Sequence, residues 1–156
     1  IDEIVGSLRA EPNLVLQVDT GAGKTTVVPL AILEEQVVEG KICVLQPRRM
    51  AAVGAARRMA RILREPPGGT VGYRVRHENV VSAATRVEVM TAGILTKIMR
   101  ANPKLEGVGC VILDEFHERT VDLDVCLALC RGVQQECRQE LRLVVMSATL
   151  SALGET

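Results

Sequence analysis

Residues 13–26, NLVLQVDTGAGKTT, carry an apolar strand directly into a glycine-bearing loop that ends in Lys-Thr-Thr and opens a helix. A loop held between a strand end and a helix N-terminus converges backbone N–H groups on one spot, the arrangement that cradles a phosphate. The pattern G-x-x-x-x-G-K-[ST] asks for glycine at its first position, where this chain has Val18. That position is the hinge farthest from the phosphates, and a β-branched residue fits it if its φ is negative. The remaining parts are in place. Gly21 and Gly23 fall where the loop wraps the β-phosphate, Lys24 can reach the β- and γ-phosphates, and the Thr25 hydroxyl can ligate Mg²⁺. Thr20, Gly21, Ala22, Gly23, Lys24, Thr25 and Thr26 are therefore the candidate nucleotide-binding residues of the loop.

The rest of the chain supplies the fold that such a loop needs. Short apolar, β-branched runs at 13–18, 41–46, 86–91, 109–114 and 141–147 alternate with helical spacing at 3–9, 24–37, 49–64, 91–100 and 119–137. Alternating strands and helices build βαβ units, so the expected fold is α/β: a mostly parallel sheet with helices on both faces, in one domain over 1–156. Pro29, just past the first turn of the second helix, allows a slight kink there. EPPGGT at 65–70 reads as a break, and TVGYRVRHENVV at 70–81 as an irregular or extended excursion.

Composition excludes several classes. The chain has 47% hydrophobic and 24% charged residues, ordinary for a globular protein and unlike a disordered one. No apolar run approaches the roughly 18 residues needed to span a bilayer, and IDEIVGSLRA lacks a signal-peptide layout, so a cytoplasmic location without membrane contact is expected. The start without Met and the stop soon after LVVMSATL suggest a piece of a longer chain. Five cysteines include Cys126 and Cys130 at i,i+4, but no C-x-x-C pair or His partner accompanies them, so buried reduced thiols are expected rather than a metal site. The formal net charge is zero, yet Arg48, Arg49, Arg57, Arg58, Arg61 and Arg64 fall in one segment with no acid among them. With one Phe, one Tyr and no Trp, aromatic stacking platforms are not how this domain would hold nucleic acid.

A second element joins the loop. GCVILDEFHER puts Asp114 and Glu115 at the end of an apolar strand, and in a parallel sheet the carboxyl ends of strands face one crevice. Asp114 can hold Mg²⁺ through its water shell, and Glu115 can orient or deprotonate an attacking water. Thr25, Asp114 and Glu115 are the candidate metal residues.

DEFHER resembles the DEAH-box signature of superfamily 2 RNA helicases, in a spelling similar to the bacterial HrpB type. QPRRMAAVGAARRMA (46–60) resembles that family's Pro-Arg-Arg motif, VGYRVRHEN (71–79) its following hairpin, TAGIL (91–95) its T-D/E-G-x-L motif, and SAT (147–149) its third motif. These run in family order across nearly the whole chain. Val18 stands for Gly or Ala, Phe116 for Ala, and Ala92 for the usual acid, and none of the three is a nucleotide ligand.

The resemblance implies the first of two RecA-like lobes of a P-loop NTPase, an enzyme that hydrolyses ATP or another NTP with Mg²⁺ and uses the cycle to move on RNA. It implies Glu115, Lys24 and His117 as catalytic residues, and Arg58 stacking on the nucleotide base. Arg48, Arg49, Arg76 and Thr91 would meet RNA, with backbone contacts that carry little sequence specificity. His117 would hydrogen-bond toward Ser147 and Thr149, coupling hydrolysis to lobe movement. Arg57, Arg61 and Arg64 are expected only to solvate a helix face. In the resembled family the second lobe of the same polypeptide supplies an arginine finger, so the isolated chain is expected to be a weak NTPase. The alternative is a nucleotide-dependent switch that holds RNA or a partner without unwinding; a P-loop kinase would need an acceptor site that the sequence does not offer.

Overall fold

The structure is a computed structural model that describes residues 1–18 and 23–149. The elements run α1 (Asp2–Ala10), β1 (Asn13–Gln17), α2 (Lys24–Glu34), β2 (Lys41–Gln46), α3 (Arg49–Ile62), β3 (Val71–Val75), β4 (Glu78–Val80), β5 (Val87–Thr91), α4 (Ala92–Ala101), β6 (Val108–Leu113), α5 (Val121–Glu136) and β7 (Arg142–Ser147). One turn of 3₁₀ helix, Phe116–Glu118, lies between β6 and α5. The seven strands form one sheet in the order β1-β7-β6-β2-β5-β3-β4. Every pairing is parallel except β3 with β4.

Parallel strands covered on both faces read as unbroken apolar runs, and β6, VGCVIL, is buried at all six positions. Strand alternation divides the core in two. Ile42 and Val44 of β2 point to one face, where Leu8 of α1, Val28 and Ile32 of α2 and Met59 of α3 cover them; Cys43 and Leu45 point to the other, beneath Leu95 of α4 and Leu123, Cys126 and Cys130 of α5. Ala52, Ala55, Ala56 and Ala60 are at most 1% exposed, so the helix that carries the arginines lies flat against β3 and β5.

The α/β fold with helices on both faces is as expected, and differences are local. Residues 70–81 take the extended alternative and form the hairpin that the resemblance implied: β3 and β4 pair antiparallel, with Tyr73 opposite Val80 and Val75 opposite Glu78. Gly72 permits it, because a Cβ there would run into the Val80 carbonyl oxygen. Helix α2 stops at Glu34, α3 at Ile62, and the last expected helix begins only at Val121 because Glu115 and Arg119 both take left-handed backbone angles. Cys43, Cys110, Cys126 and Cys130 are buried free thiols, and burial pushes Cys43, Cys126 and Cys130 up to about 12. Cys137 departs from that expectation, since it follows the end of α5 and is exposed. No helix among the described residues is long and apolar enough to cross a membrane.

Candidate functional site

The carboxyl ends of β1, β2, β6 and β7 place the chemistry. At the end of β1, Val18 is 9% exposed, belongs to the core beneath α1 and α2, and donates its N–H to the Ser147 carbonyl at 2.9 Å. Its φ is not positive, so valine at the hinge of the loop is unstrained and extends the β1–β7 ladder. Thr20, Gly21 and Ala22 lie outside the described residues. Gly23 is the N-cap of α2 at φ 73°, a left-handed angle that glycine takes without steric cost. No side chain caps this end, which leaves first-turn N–H groups for an anion. Lys24 is exposed there and Thr25 is half-buried. Thr26 differs from the loop residues before it, because its hydroxyl donates to the Gly23 carbonyl at 2.9 Å and its side chain is buried. That bond fixes the first turn of the helix.

Across the cleft, Asp114 follows β6 and is 1% exposed. Its Oδ2 accepts from Gln46 Nε2 at 2.6 Å, and its Oδ1 accepts from the Glu115 N–H at 2.9 Å. A buried carboxylate held by two donors in this way stays oriented. Gln46, the last residue of β2, was not singled out from sequence; a polar residue closing the apolar run KICVLQ just before Pro47 is the signal that could have found it. Glu115 sits at φ 56°, an uncommon angle for a non-glycine residue and of the kind that clusters at functional sites. Its carboxyl is raised above the ordinary range, by burial first and then by the Asp114 charge, against the opposing pull of His117 and Arg48.

His117 joins the acid to the third motif. Its Nδ1 accepts the Ala148 N–H at 3.0 Å while its Nε2 lies 3.1 Å from Glu115 Oε2. An acceptor Nδ1 places the ring proton of neutral imidazole on Nε2, so the ring donates to Glu115. Ser147 Oγ donates to the Thr149 carbonyl at 2.7 Å and accepts the Thr149 N–H at 3.3 Å, which locks the backbone that carries Ala148.

Thr25, Gln46, Pro47, Arg48, Ala51, Arg58, Glu115 and Glu118 line one cleft of about 250 Å³. It unites the loop threonine, the acid and the base-stacking candidate Arg58. Arg48 is there too, 2.9 Å from Glu118 Oε1. The nucleic-acid candidates divide between places. Arg76 and Thr91 line a larger groove of about 1040 Å³ between the β3–β4 hairpin and α4, with Arg74, His77 and Lys97. Arg49 lies 3.2 Å from Glu78, which is also on the groove wall and accepts from the Tyr73 hydroxyl at 2.7 Å. Lys97 and Arg74 are not among the sequence candidates; Lys97 shares an amphipathic helix with Arg100 and carries no motif of its own, and Arg74 is placed on the groove by the register of the hairpin. Arg57, Arg61 and Arg64 line a separate open groove on the outer side of α3.

The DEAD/DEAH box helicase family model matches residues 2–155. The chain is 49% identical over 150 residues to the ATP-dependent RNA helicase HrpB of Escherichia coli K12, covering 96% of this chain and 18% of that protein. It is 40% identical over 154 residues to the ATP-dependent RNA helicase DHX30 of Gallus gallus, covering 95% of this chain and 12% of that one. The crystal structure of E. coli DExH-box NTPase HrpB superposes with a TM-score of 0.92 at 49% identity, over 95% of this chain and 18% of that one. The chain thus spans less than a fifth of the length of these relatives. Thr25 at the start of α2 shares a cleft with Glu115 of the DEFHER box, His117 joins that box to Ala148 of the third motif, and with the family model matching residues 2–155 the chain belongs to the DEAD/DEAH box helicase family.

Proposed function

We propose that this chain is the first RecA-like lobe of an ATP-dependent RNA helicase, one that binds a nucleoside triphosphate with Mg²⁺, contacts RNA backbone and couples hydrolysis to movement on RNA. The observation that carries the reading is the single cleft lined by Thr25, Arg58 and Glu115, with His117 linking Glu115 to Ala148. Thr25 and the carboxylates of Asp114 and Glu115 offer hard oxygen donors, and the Gln46-anchored Asp114 keeps its orientation without a cation, so the residues fit Mg²⁺. When bound, Mg²⁺ would neutralise phosphate charge. Lys24 would add its ammonium to the same oxygens, the α2 N-terminus would hold the anion, and Arg58 would stack on the base. Glu115, less acidic than an ordinary glutamate, would accept a proton from the attacking water. His117 would transmit the state of Glu115 to the strand that ends in SAT.

Arg76 and Thr91 would track RNA phosphates in the groove beside α4, and Arg48 at the cleft margin would join the two regions. A second lobe of the parent polypeptide would supply the missing transition-state cation. The test is Glu115→Gln in the full-length parent. The amide keeps the shape but cannot take the proton, so nucleotide affinity should survive while turnover is lost. Equal loss of both would make Glu115 a structural or metal-holding residue only. RNA-stimulated hydrolysis without strand displacement by the wild-type parent would favour a nucleotide-dependent RNA switch instead.

A further inference from the structure

Helix α3 carries a row of cations that the proposed function leaves unused. Arg57, Arg61 and Arg64, spaced by four and then three residues, are exposed on its outer side and line an open groove of about 560 Å³ with Glu65 and Pro67. Among the described residues none of the three forms an ion pair, and the Glu65 carboxylate beside them accepts from the Thr70 hydroxyl at 3.1 Å. Like charges at i,i+4 repel, so the row costs the helix stability. The negative C-terminal end of the helix offsets this for Arg61 and Arg64 but not for Arg57, since that effect fades within the last turn. Arg64 is kept at a further cost. The helix closes with the Glu65 N–H on the Ala60 carbonyl and the Arg64 N–H on the Arg61 carbonyl, each at 3.0 Å, and Arg64 takes φ 57°, the left-handed position that glycine usually fills. An arginine there carries the row past the end of the helix.

The row meets the large groove at Arg57. The Tyr73 phenol is pushed up by the hydrogen bond it gives Glu78 and by burial, and the Arg57 charge beside them pulls it back down. Glu78, held below the ordinary carboxylate range by Tyr73, Arg49 and Arg57, is itself on the wall of the large groove. The one acid between the two grooves is therefore covered by a phenol and two cations. Guanidinium forks match phosphate oxygens bidentately, and arginines about 5–6 Å apart along a helix suit a flexible strand whose phosphates settle on them in turn. Ile62 and Leu63 are exposed nearby, but neither lines this groove, which favours a polyanion over a lipid surface. We infer that Arg57, Arg61 and Arg64 form a second phosphate track, on which an RNA strand leaving the large groove past the β3–β4 hairpin continues along α3. The inference rests on the RNA reading above and extends its footprint. Contacts of this kind add affinity and salt dependence without sequence preference.

The test compares the full-length parent with its Arg61→Gln/Arg64→Gln double variant, Arg57 being kept because it also stands beside Tyr73 and Glu78. Affinity for a ladder of single-stranded RNAs of increasing length is read by fluorescence anisotropy over a range of salt concentrations. The shortest RNA that binds should be held equally by both proteins, which also shows the variant to be folded. On RNAs long enough to leave the groove, the slope of log affinity against log salt should flatten by about 1.4 in the variant, since each phosphate contact to a single strand contributes about 0.7 and two are lost. An Arg61→Lys/Arg64→Lys variant, which keeps both charges, should restore most of that slope. An unchanged slope at every length would overturn the inference and leave the helicase reading standing. No RNA binding by the wild-type parent at any length would overturn both. Unchanged RNA binding with lost retention on vesicles of anionic phospholipid would make the row a membrane contact and overturn the inference too.

Discussion

Phe116→Ala would return the DEFHER box to the spelling most common in the resembled family, and it should damage this protein. Phe116 is 0% exposed, packed in the core that α4 and α5 share with the sheet, and the Arg119 guanidinium lies 5.5 Å from its ring centroid. Emptying that site loses the transfer free energy of the ring and leaves a cavity, together about 3–5 kcal/mol for buried Phe→Ala. A cation–π contact of about 0.5–1 kcal/mol is part of the loss. Against a net stability of about 5–15 kcal/mol this is a large fraction. With a urea slope of about 2 kcal/mol/M, the unfolding midpoint should fall by about 1.5–2.5 M. The residue also pins the turn that carries Glu115 and His117, so hydrolysis by the parent should fall more than nucleotide affinity, which depends on the separate Gly23–Thr25 turn. A stability loss below about 1 kcal/mol, or unchanged hydrolysis, would refute the claim that the ring holds the box in place.

Lys24→Ala in the parent should abolish nucleotide binding or hydrolysis by removing the only lysine at the α2 N-terminus, and turnover at the wild-type rate would sink the phosphate-loop assignment. Arg48→Ala should weaken RNA binding about equally across sequences and lower the salt dependence by roughly one phosphate contact; a sequence-selective loss in filter binding would contradict backbone tracking. Glu88, 3% exposed on β5, lies 2.8 Å from Lys41 and 2.9 Å from Arg74. Burial alone would push its carboxyl up, but the two cations outweigh burial and hold it below the ordinary value. A carboxyl lowered on folding gives stability that is fully present above its unfolded pKa and is lost as pH falls through the folded one. Glu88→Gln should therefore cost about 1–3 kcal/mol at neutral pH and flatten the acid side of the stability curve, and a mutant with the same acid dependence as wild type would count against this account.

The βαβ order was readable because strands buried on both faces have an unmistakable apolar spelling. The two termini of the cleft were readable for a related reason: a glycine-lysine-threonine loop and a pair of acids each follow such a strand. The hairpin was legible only through the resemblance, because RVRHEN carries three charged residues and no turn glycine, and its pairing depends on Gly72 leaving room for the Val80 carbonyl oxygen. Positive φ at Glu115 and Arg119 has no sequence signature, since these residue types do not advertise left-handed angles. That is why the last long helix was started too early. Gln46 escaped for a different reason: a glutamine ending a strand is ordinary until a buried carboxylate is found 2.6 Å away. Arg48 and Arg49 looked acid-free in sequence because their partners, Glu118 and Glu78, lie 70 and 29 residues away.

The three departures from the family pattern share one physical explanation. Val18, Ala92 and Phe116 are all buried apolar side chains, at 9%, 2% and 0% exposure, and each adjoins a position that carries chemistry. The Val18 N–H lengthens the ladder between β1 and β7, and its side chain is buried in the core beside it. Phe116 fills the core under the turn that holds Glu115 and His117. Ala92 begins α4 directly after Thr91, and its carbonyl accepts the Cys126 thiol at 3.2 Å, which ties the groove-lining helix to the helix that follows the DEFHER box. All three side chains are buried in the core, while the hydrogen bonds of Val18 and Ala92 run through backbone atoms that any residue there would supply. Under the proposed function, the polar chain from Glu115 through His117 to Ala148 is the part that would respond, and a rigid surround would let a small change at one end of such a chain be felt at the other.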